Sequence, residues 1–184
     1  MSSYVGKLLI SPPANKETFF EKSLVLVYDQ TPKTTTGVVV NKPSNRTLQE
    51  LCEFNDIEYR GKERIFIGGP VNPSALLLLH SKDWACTNTI EIGHYWRISS
   101  DHSMLTRIAQ GDRPRNWRLF LGMCGWSPGQ LEGEILGAPP WSRSKSWLVS
   151  NPTTEILFHR SSSKVWTKAI ENCGQEMIDS FFTI

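Results

Sequence analysis

No stretch of this chain approaches the ~20 consecutive apolar residues that a membrane-spanning helix needs, so no membrane role is expected. Cysteine is scarce and scattered. Cys52, Cys86, Cys124 and Cys173 form no C-x-x-C pair, which argues against a disulfide framework. H-E-x-x-H is absent, and the four histidines, His80, His94, His102 and His159, lack ligand spacing, so no metal is expected. Neither sign of charge dominates: 20 Lys+Arg against 18 Asp+Glu leave a net +2. A protein that gains affinity by neutralising phosphates shows a concentrated basic face. Here the positive residues gather only between Arg107 and Arg118, with Arg113, Arg115 and Arg118 close together, and again at Arg143 and Lys145. A mixed-charge surface is the expectation, with nucleic acid a secondary candidate partner. The first residues lack the apolar core of a signal peptide. Together with unpaired thiols this predicts a soluble, cytoplasmic protein. No linker, repeat or low-complexity segment interrupts the chain, so a single domain over residues 1–184 is expected.

What is present is enough to fold. The composition is 39% hydrophobic, with seven Trp and eight Phe among 184 residues, sufficient for a core without metals or disulfides. Lys7–Ile10 reads as a short strand ended by Pro12-Pro13, and the unbroken run Ser23–Asp29 as a strand buried on both faces. Gly37–Asn41 reads as its hairpin partner across the turn-rich Thr31–Thr36. Thr47 with Glu50 forms a capping-box signature ahead of Leu48, Leu51, Cys52 and Phe54. Arg64–Ile67, Ala75–His80 and Tyr95–Ile98 follow as strands, and Ser100 is placed to cap a helix carrying Met104, Leu105 and Ile108. Trp117–Leu121 is read as a strand that ends in a glycine-rich loop, Gly122–Gln130. There Ser127, Pro128 and Gln130 form an N-terminal helix signature. Trp147–Val149 and Glu155–Phe158 are read as late strands, and a final helix begins near Ser162. Strands in pairs with helices between some of them predict an α+β fold with a mixed, largely antiparallel sheet.

The candidate chemistry centres on Gly122–Gln130. Backbone N–H groups at a helix's positive end suit an anion such as phosphate or carboxylate; glycines there also let a helix pack tightly against a sheet. Neither a dinucleotide fingerprint nor a P-loop is present, and no cofactor is expected. The candidate ligand-binding residues are Gly122, Gly125, Trp126, Gly129 and Gln130, with the turn residues Asn41, Lys42, Gly68 and Gly69. Cys124 lies in the same loop and His80 ends an apolar strand. These two are the candidate catalytic groups, each with a structural alternative: a small buried residue and a satisfied core histidine. Ser161-Ser-Ser-Lys164 matches S-x-x-K, but capping explains it. The leading function class is a non-enzymatic binding or regulatory protein, whose partner is a small anion or another protein. The alternative is an enzyme or redox-responsive protein using a thiol or histidine near the loop.

The ordered set of motifs resembles the AlgH/YqgE-like family, a mainly bacterial group without an assigned biochemical activity. The matching pieces are Gly6-Lys-Leu-Leu-Ile-Ser-Pro12, Phe20-Glu-Lys-Ser-Leu-Val25, Gly37-Val-Val-Val-Asn-Lys-Pro43 and Gly68-Gly-Pro-Val-Asn-Pro73. The most specific is Leu121-Gly-Met-Cys-Gly-Trp-Ser-Pro-Gly-Gln-Leu-Glu-Gly-Glu-Ile135. The resemblance implies a compact α+β fold whose bent sheet closes into a pseudo-barrel flanked by helices. It also brings the label of transcriptional regulator, which names no mechanism. Three departures stand out: Gln30 where many members carry histidine, Cys124 where a small residue such as alanine is usual, and an insertion around Pro139–Ser146.

Overall fold

Apolar runs, turn residues and caps set the elements of the chain in the computed structural model, which describes residues 3–160 and 162–182. In chain order they are β1 (Leu8–Ile10), β2 (Leu24–Gln30), β3 (Thr35–Val39), β4 (Pro43–Thr47), α1 (Leu48–Phe54), β5 (Arg64–Ile67), β6 (Val71–Ser81) and β7 (Thr89–Ile92). There follow β8 (Trp96–Ser99), α2 (Met104–Ala109), β9 (Trp117–Trp126), α3 (Gln130–Leu136), β10 (Leu148–Ser150), α4 (Thr154–Leu157) and α5 (Ser162–Phe182). The class is α+β with a mixed, largely antiparallel sheet, as the sequence predicts. Chain contacts divide it into two compact units, residues 1–41 with 125–184, and residues 42–124.

In the first unit, β10, β1, β2 and β3 lie side by side, every pairing antiparallel. The central strands have no polar face: Leu8, Leu9 and Ile10 of β1 and Leu24–Val27 of β2 are fully buried. Each such aliphatic side chain contributes about 1.5–3 kcal/mol of burial free energy. The long helix α5 places Val165, Ala169 and Cys173 inward at successive turns, all nearly inaccessible. The indole of Trp166 donates to the carbonyl of Ser11 at 2.9 Å.

In the second unit, β9, β6, β8 and β7 run antiparallel in that order. β5 joins β9 in parallel, with β4 antiparallel on its other side. The core packs Leu48 and Cys52 of α1 and Met104, Leu105 and Ile108 of α2 against Leu78, Trp84 and Leu119. The capping box at α1 is complete. Thr47 Oγ1 accepts from Glu50 N, and the Glu50 carboxylate accepts from Thr47 N at 2.7 Å.

Several expectations are corrected. Glu155–Phe158 is not a strand: the hydroxyl of Thr153 accepts from Ile156 N and starts the short helix α4. Ser100 does not cap α2. Asp101 does the work instead, its carboxylate accepting from Ser103 N at 2.8 Å and its carbonyl from Met104 N. The strand read as Trp117–Leu121 continues to Trp126, so half of the expected glycine loop is strand. Ser127 is not the N-cap of α3, a position held by Gly129 in the left-handed region. Asn41–Pro43 leads directly into β4, which the sequence reading left out along with β7. Ser161 of the S-x-x-K match lies outside the described residues.

Candidate functional site

Within the second unit, five of the sequence-predicted positions lie along the turn before β6 and its neighbours: Gly68, Gly69, Gly122, Cys124 and the main chain of Lys42. Gly68 N donates to the carbonyl of Leu121 at 2.8 Å. A Cβ on Gly69 would lie 2.2 Å from the carbonyl carbon and oxygen of Met123 and 2.6 Å from Cys124 N. One on Gly122, whose φ is +78°, would lie 2.3 Å from the carbonyl oxygen of Gly69. These glycines let the turn before β6 and the strand β9 touch backbone against backbone. The Cys124 thiol, 2% exposed, donates to the carbonyl of Gly68 at 3.5 Å. Lys42 enters through its main chain, its carbonyl accepting from Ile67 N at 2.7 Å.

His80 is completely buried. Its Nδ1 lies 2.8 Å from the carbonyl of Ser81, which can only accept, so Nδ1 carries the hydrogen. Nε2 then accepts from Ser99 Oγ at 2.8 Å, and Ser99 Oγ lies 2.7 Å from Thr89 Oγ1. Trp84 meets the imidazole edge-on, centroids 5.2 Å apart. Burial is the main cause that pushes the imidazole below its ordinary pKa, outweighing the opposing hydrogen bond to Ser81. A neutral ring with both nitrogens engaged is a core histidine.

The basic stretch does not form one free surface. Arg113 lies 3.8 Å from Glu63, and the main chain of Arg115 donates to Asp83. The guanidinium of Arg118 lies 4.0 Å above the centre of the Phe66 ring, and burial lowers its pKa to about 10. A guanidinium folded onto an aromatic ring in this way is poorly placed to neutralise phosphates.

Within the first unit, two of the remaining candidates, Trp126 and Gln130, gather around a residue the sequence reading did not single out. Glu134 Oε2 accepts from the indole N–H of Trp126 at 3.0 Å and from that of Trp147 at 2.8 Å. Its Oε1 accepts from the Gln130 amide at 2.9 Å. The two indoles, both nearly inaccessible, meet edge-to-face at 6.3 Å, and Phe20 packs on Trp147 at 5.3 Å. Gln130 Oε1 reaches back to Ser127 N at 3.0 Å, while Gln130 N donates to the Ser127 carbonyl. Half of the expected capping box is therefore present, and two N–H groups proposed for an anion are already satisfied from within the chain. Gly129 supplies the left-handed turn, φ +75°, and Gly125 is exposed. Asn41 closes a strand end: Oδ1 accepts from Leu24 N and Nδ2 donates to the Lys22 carbonyl. Gln30 accepts from Tyr4 N and donates to Glu132.

Gly122 and Cys124 in the one unit, and Trp126, Gln130 and Glu134 in the other, all belong to the sequence segment 121–135, the most specific of the motifs. Residues 8–178, passing through both units, match the family model described as AlgH-like. The chain belongs to the AlgH-like family. Its curated relatives include a UPF0301 protein of Gluconobacter oxydans, 34% identical over 90% of this chain and 88% of the relative. A UPF0301 protein of a Marinomonas species is 31% identical over 95% and 92%. The solution structure of the AlgH protein from Pseudomonas aeruginosa superposes with a TM-score of 0.76 at 26% identity, covering 95% of this chain and 92% of that one. A crystal structure of the Corynebacterium diphtheriae protein DIP2367, TM-score 0.71 at 20% identity over 91% and 86%, shares the fold. Within the AlgH-like segment, Glu134 and Trp147 were missed as a pair because they lie 13 positions apart. The available signal was two tryptophans flanking a short helix that carries Glu132 and Glu134.

Proposed function

We propose that this AlgH-like protein acts by binding a protein partner and not by catalysis, in a regulatory role within the cytoplasm. The observation that carries this reading is the placement of its two candidate catalytic groups. The Cys124 thiol is 2% exposed and His80 not at all, and both donate to main-chain carbonyls. A general base or nucleophile must come within ~3 Å of the atom it attacks or deprotonates, and neither side chain presents such an approach. The polar groups of the glycine-rich segment are likewise turned onto one another, which favours a protein over a small anion as the partner. All four cysteines are free, in keeping with a reducing compartment. Among the described residues no helix is long and apolar enough to cross a membrane. Any role in gene regulation would run through protein contact, since Arg113 and Arg118 lie against Glu63 and Phe66. The family match through both units supports reading them as one domain of this family.

Native-state alkylation with iodoacetamide at neutral pH, read by peptide mass spectrometry, tests the catalytic alternative. Cys124 is expected to react at least ~100-fold more slowly than in the unfolded chain, as for a group reached only by opening of the fold. Alkylation of Cys124 as fast as that of an unfolded-chain thiol would reinstate a reactive thiol.

A further inference from the structure

The far end of α5 differs from the rest of the helix. Val165, Ala169 and Cys173 pack inward, and Glu176 receives a hydrogen bond from Ser150 Oγ at 3.0 Å. From Gly174 onward every described residue of the helix is exposed. Met177, Ile178, Phe181 and Phe182 are 56%, 51%, 72% and 84% exposed. Their spacing brings them to one side of the helix, and a Cβ at Gly174, one turn earlier, would meet nothing within 4 Å. Together the four present on the order of 500 Å² of apolar surface.

Charge decides what covers it. Between Ala169 and Phe182 the chain carries Glu171, Glu176 and Asp179 and no Lys or Arg. The last turn holds no basic residue, so nothing there offsets the negative end of the helix dipole. A second copy laid along this stripe would bring two acidic rims together, and an anionic membrane would repel it. We propose that residues 174–182 of α5 form a docking helix for a partner protein that presents an apolar groove rimmed by Lys and Arg. The mode is helix-in-groove, with Met177, Ile178 and Phe181 as anchors at adjacent turns and Glu171 and Asp179 toward the rim, while Glu176 lies on the opposite face against Ser150. This assignment rests on the protein-binding reading above and gives it a surface and a partner chemistry.

The test titrates the full chain with a synthetic helical peptide of Leu and Lys, about 18 residues long so that it spans several turns, and with its Leu/Glu counterpart. Sedimentation of the protein alone and with phosphatidylserine vesicles runs in parallel. The Leu/Lys peptide is expected to bind, at least ~10-fold more weakly in high salt than in low. M177E/F181E should weaken it by a similar factor although it adds negative charge. E171K/D179K should transfer the preference to the Leu/Glu peptide. Both variants alter exposed side chains, and an unchanged melting temperature confirms that they fold. Self-association lost in M177E/F181E, vesicle binding, no binding of the Leu/Lys peptide, or peptide binding indifferent to both variants would each overturn the assignment. The parent reading fails separately, through a small-molecule ligand whose binding is lost in Gln130→Ala.

Discussion

A carboxylate that accepts hydrogen bonds from two buried indoles and a glutamine amide is more than a surface charge. Glu134 joins the end of β9, the helix α3 and the segment at Trp147 through three hydrogen bonds of 2.8–3.0 Å. Removing it leaves two buried indole N–H donors without an acceptor, each costing about 1–3 kcal/mol. Glu134→Ala is therefore expected to lower the free energy of unfolding in urea by about 2–4 kcal/mol, and Glu134→Gln by less, since one amide oxygen remains. A loss under about 0.5 kcal/mol, the range of ordinary surface substitutions, would show that the indoles find other partners. The thiols differ from one another at the same scale. Cys52, Cys124 and Cys173 are buried while Cys86 is partly accessible, so in native-state alkylation Cys86 should be modified first. Simultaneous loss of all four thiols would contradict the burial described here.

Among elements, the crossing of the turn before β6 with β9 is the tightest. A methyl group at Gly122 would press to 2.3 Å from the Gly69 carbonyl oxygen while the residue holds φ +78°. Gly122→Ala is expected to cost more than ~2 kcal/mol in denaturant unfolding, combining backbone strain with a forced separation of two main chains. The β6–β8 pair adds a pH dependence through His80. Its folded-state pKa lies below the ordinary 6.5, so the unfolded chain binds more protons in the window between those two values. Stability therefore falls as pH drops below 6.5, and this loss is complete below the folded-state value. Urea unfolding between pH 7 and pH 5 should show this slope, and His80→Gln should flatten it; an equal slope in the variant would assign it elsewhere. Elements with strong local chemistry were legible in the sequence. The Thr47–Glu50 capping box and β5 over Arg64–Ile67 stand as read. β4 was not, because Pro43-Ser-Asn-Arg-Thr47 has no strand propensity and forms only by pairing with β5. β7 left a fainter signal in the alternation Thr89-Ile-Glu-Ile92 before Gly93. Glu155–Phe158 misled because its β-prone composition yields to the Thr153 cap. The glycine-rich segment showed its importance but not its use, since hydrogen bonds between Trp126, Gln130, Glu134 and Trp147 depend on tertiary placement.

For the whole molecule, a buried thiol, a buried imidazole and an internally satisfied signature segment leave the chain's outward chemistry to its surface, above all to the acidic-rimmed apolar end of α5. Truncation after Cys173 should accordingly leave the rest of the fold intact, with a melting temperature within a few degrees of the full chain, about what 1 kcal/mol shifts in a domain of this size. A large drop would mean that the tail stabilises its own chain. The central claim, that this AlgH-like protein binds a protein partner and holds no small ligand at its signature segment, is most directly tested by a thermal-shift screen. The panel is nucleotides, dinucleotides, phosphorylated metabolites and small carboxylates. A true ligand at 100 times its dissociation constant stabilises the fold by about 2.7 kcal/mol, a shift of several degrees. The account predicts no saturable shift from any of them. A saturable shift that disappears in Gln130→Ala would contradict it and place a small-molecule site at the glycine-rich segment.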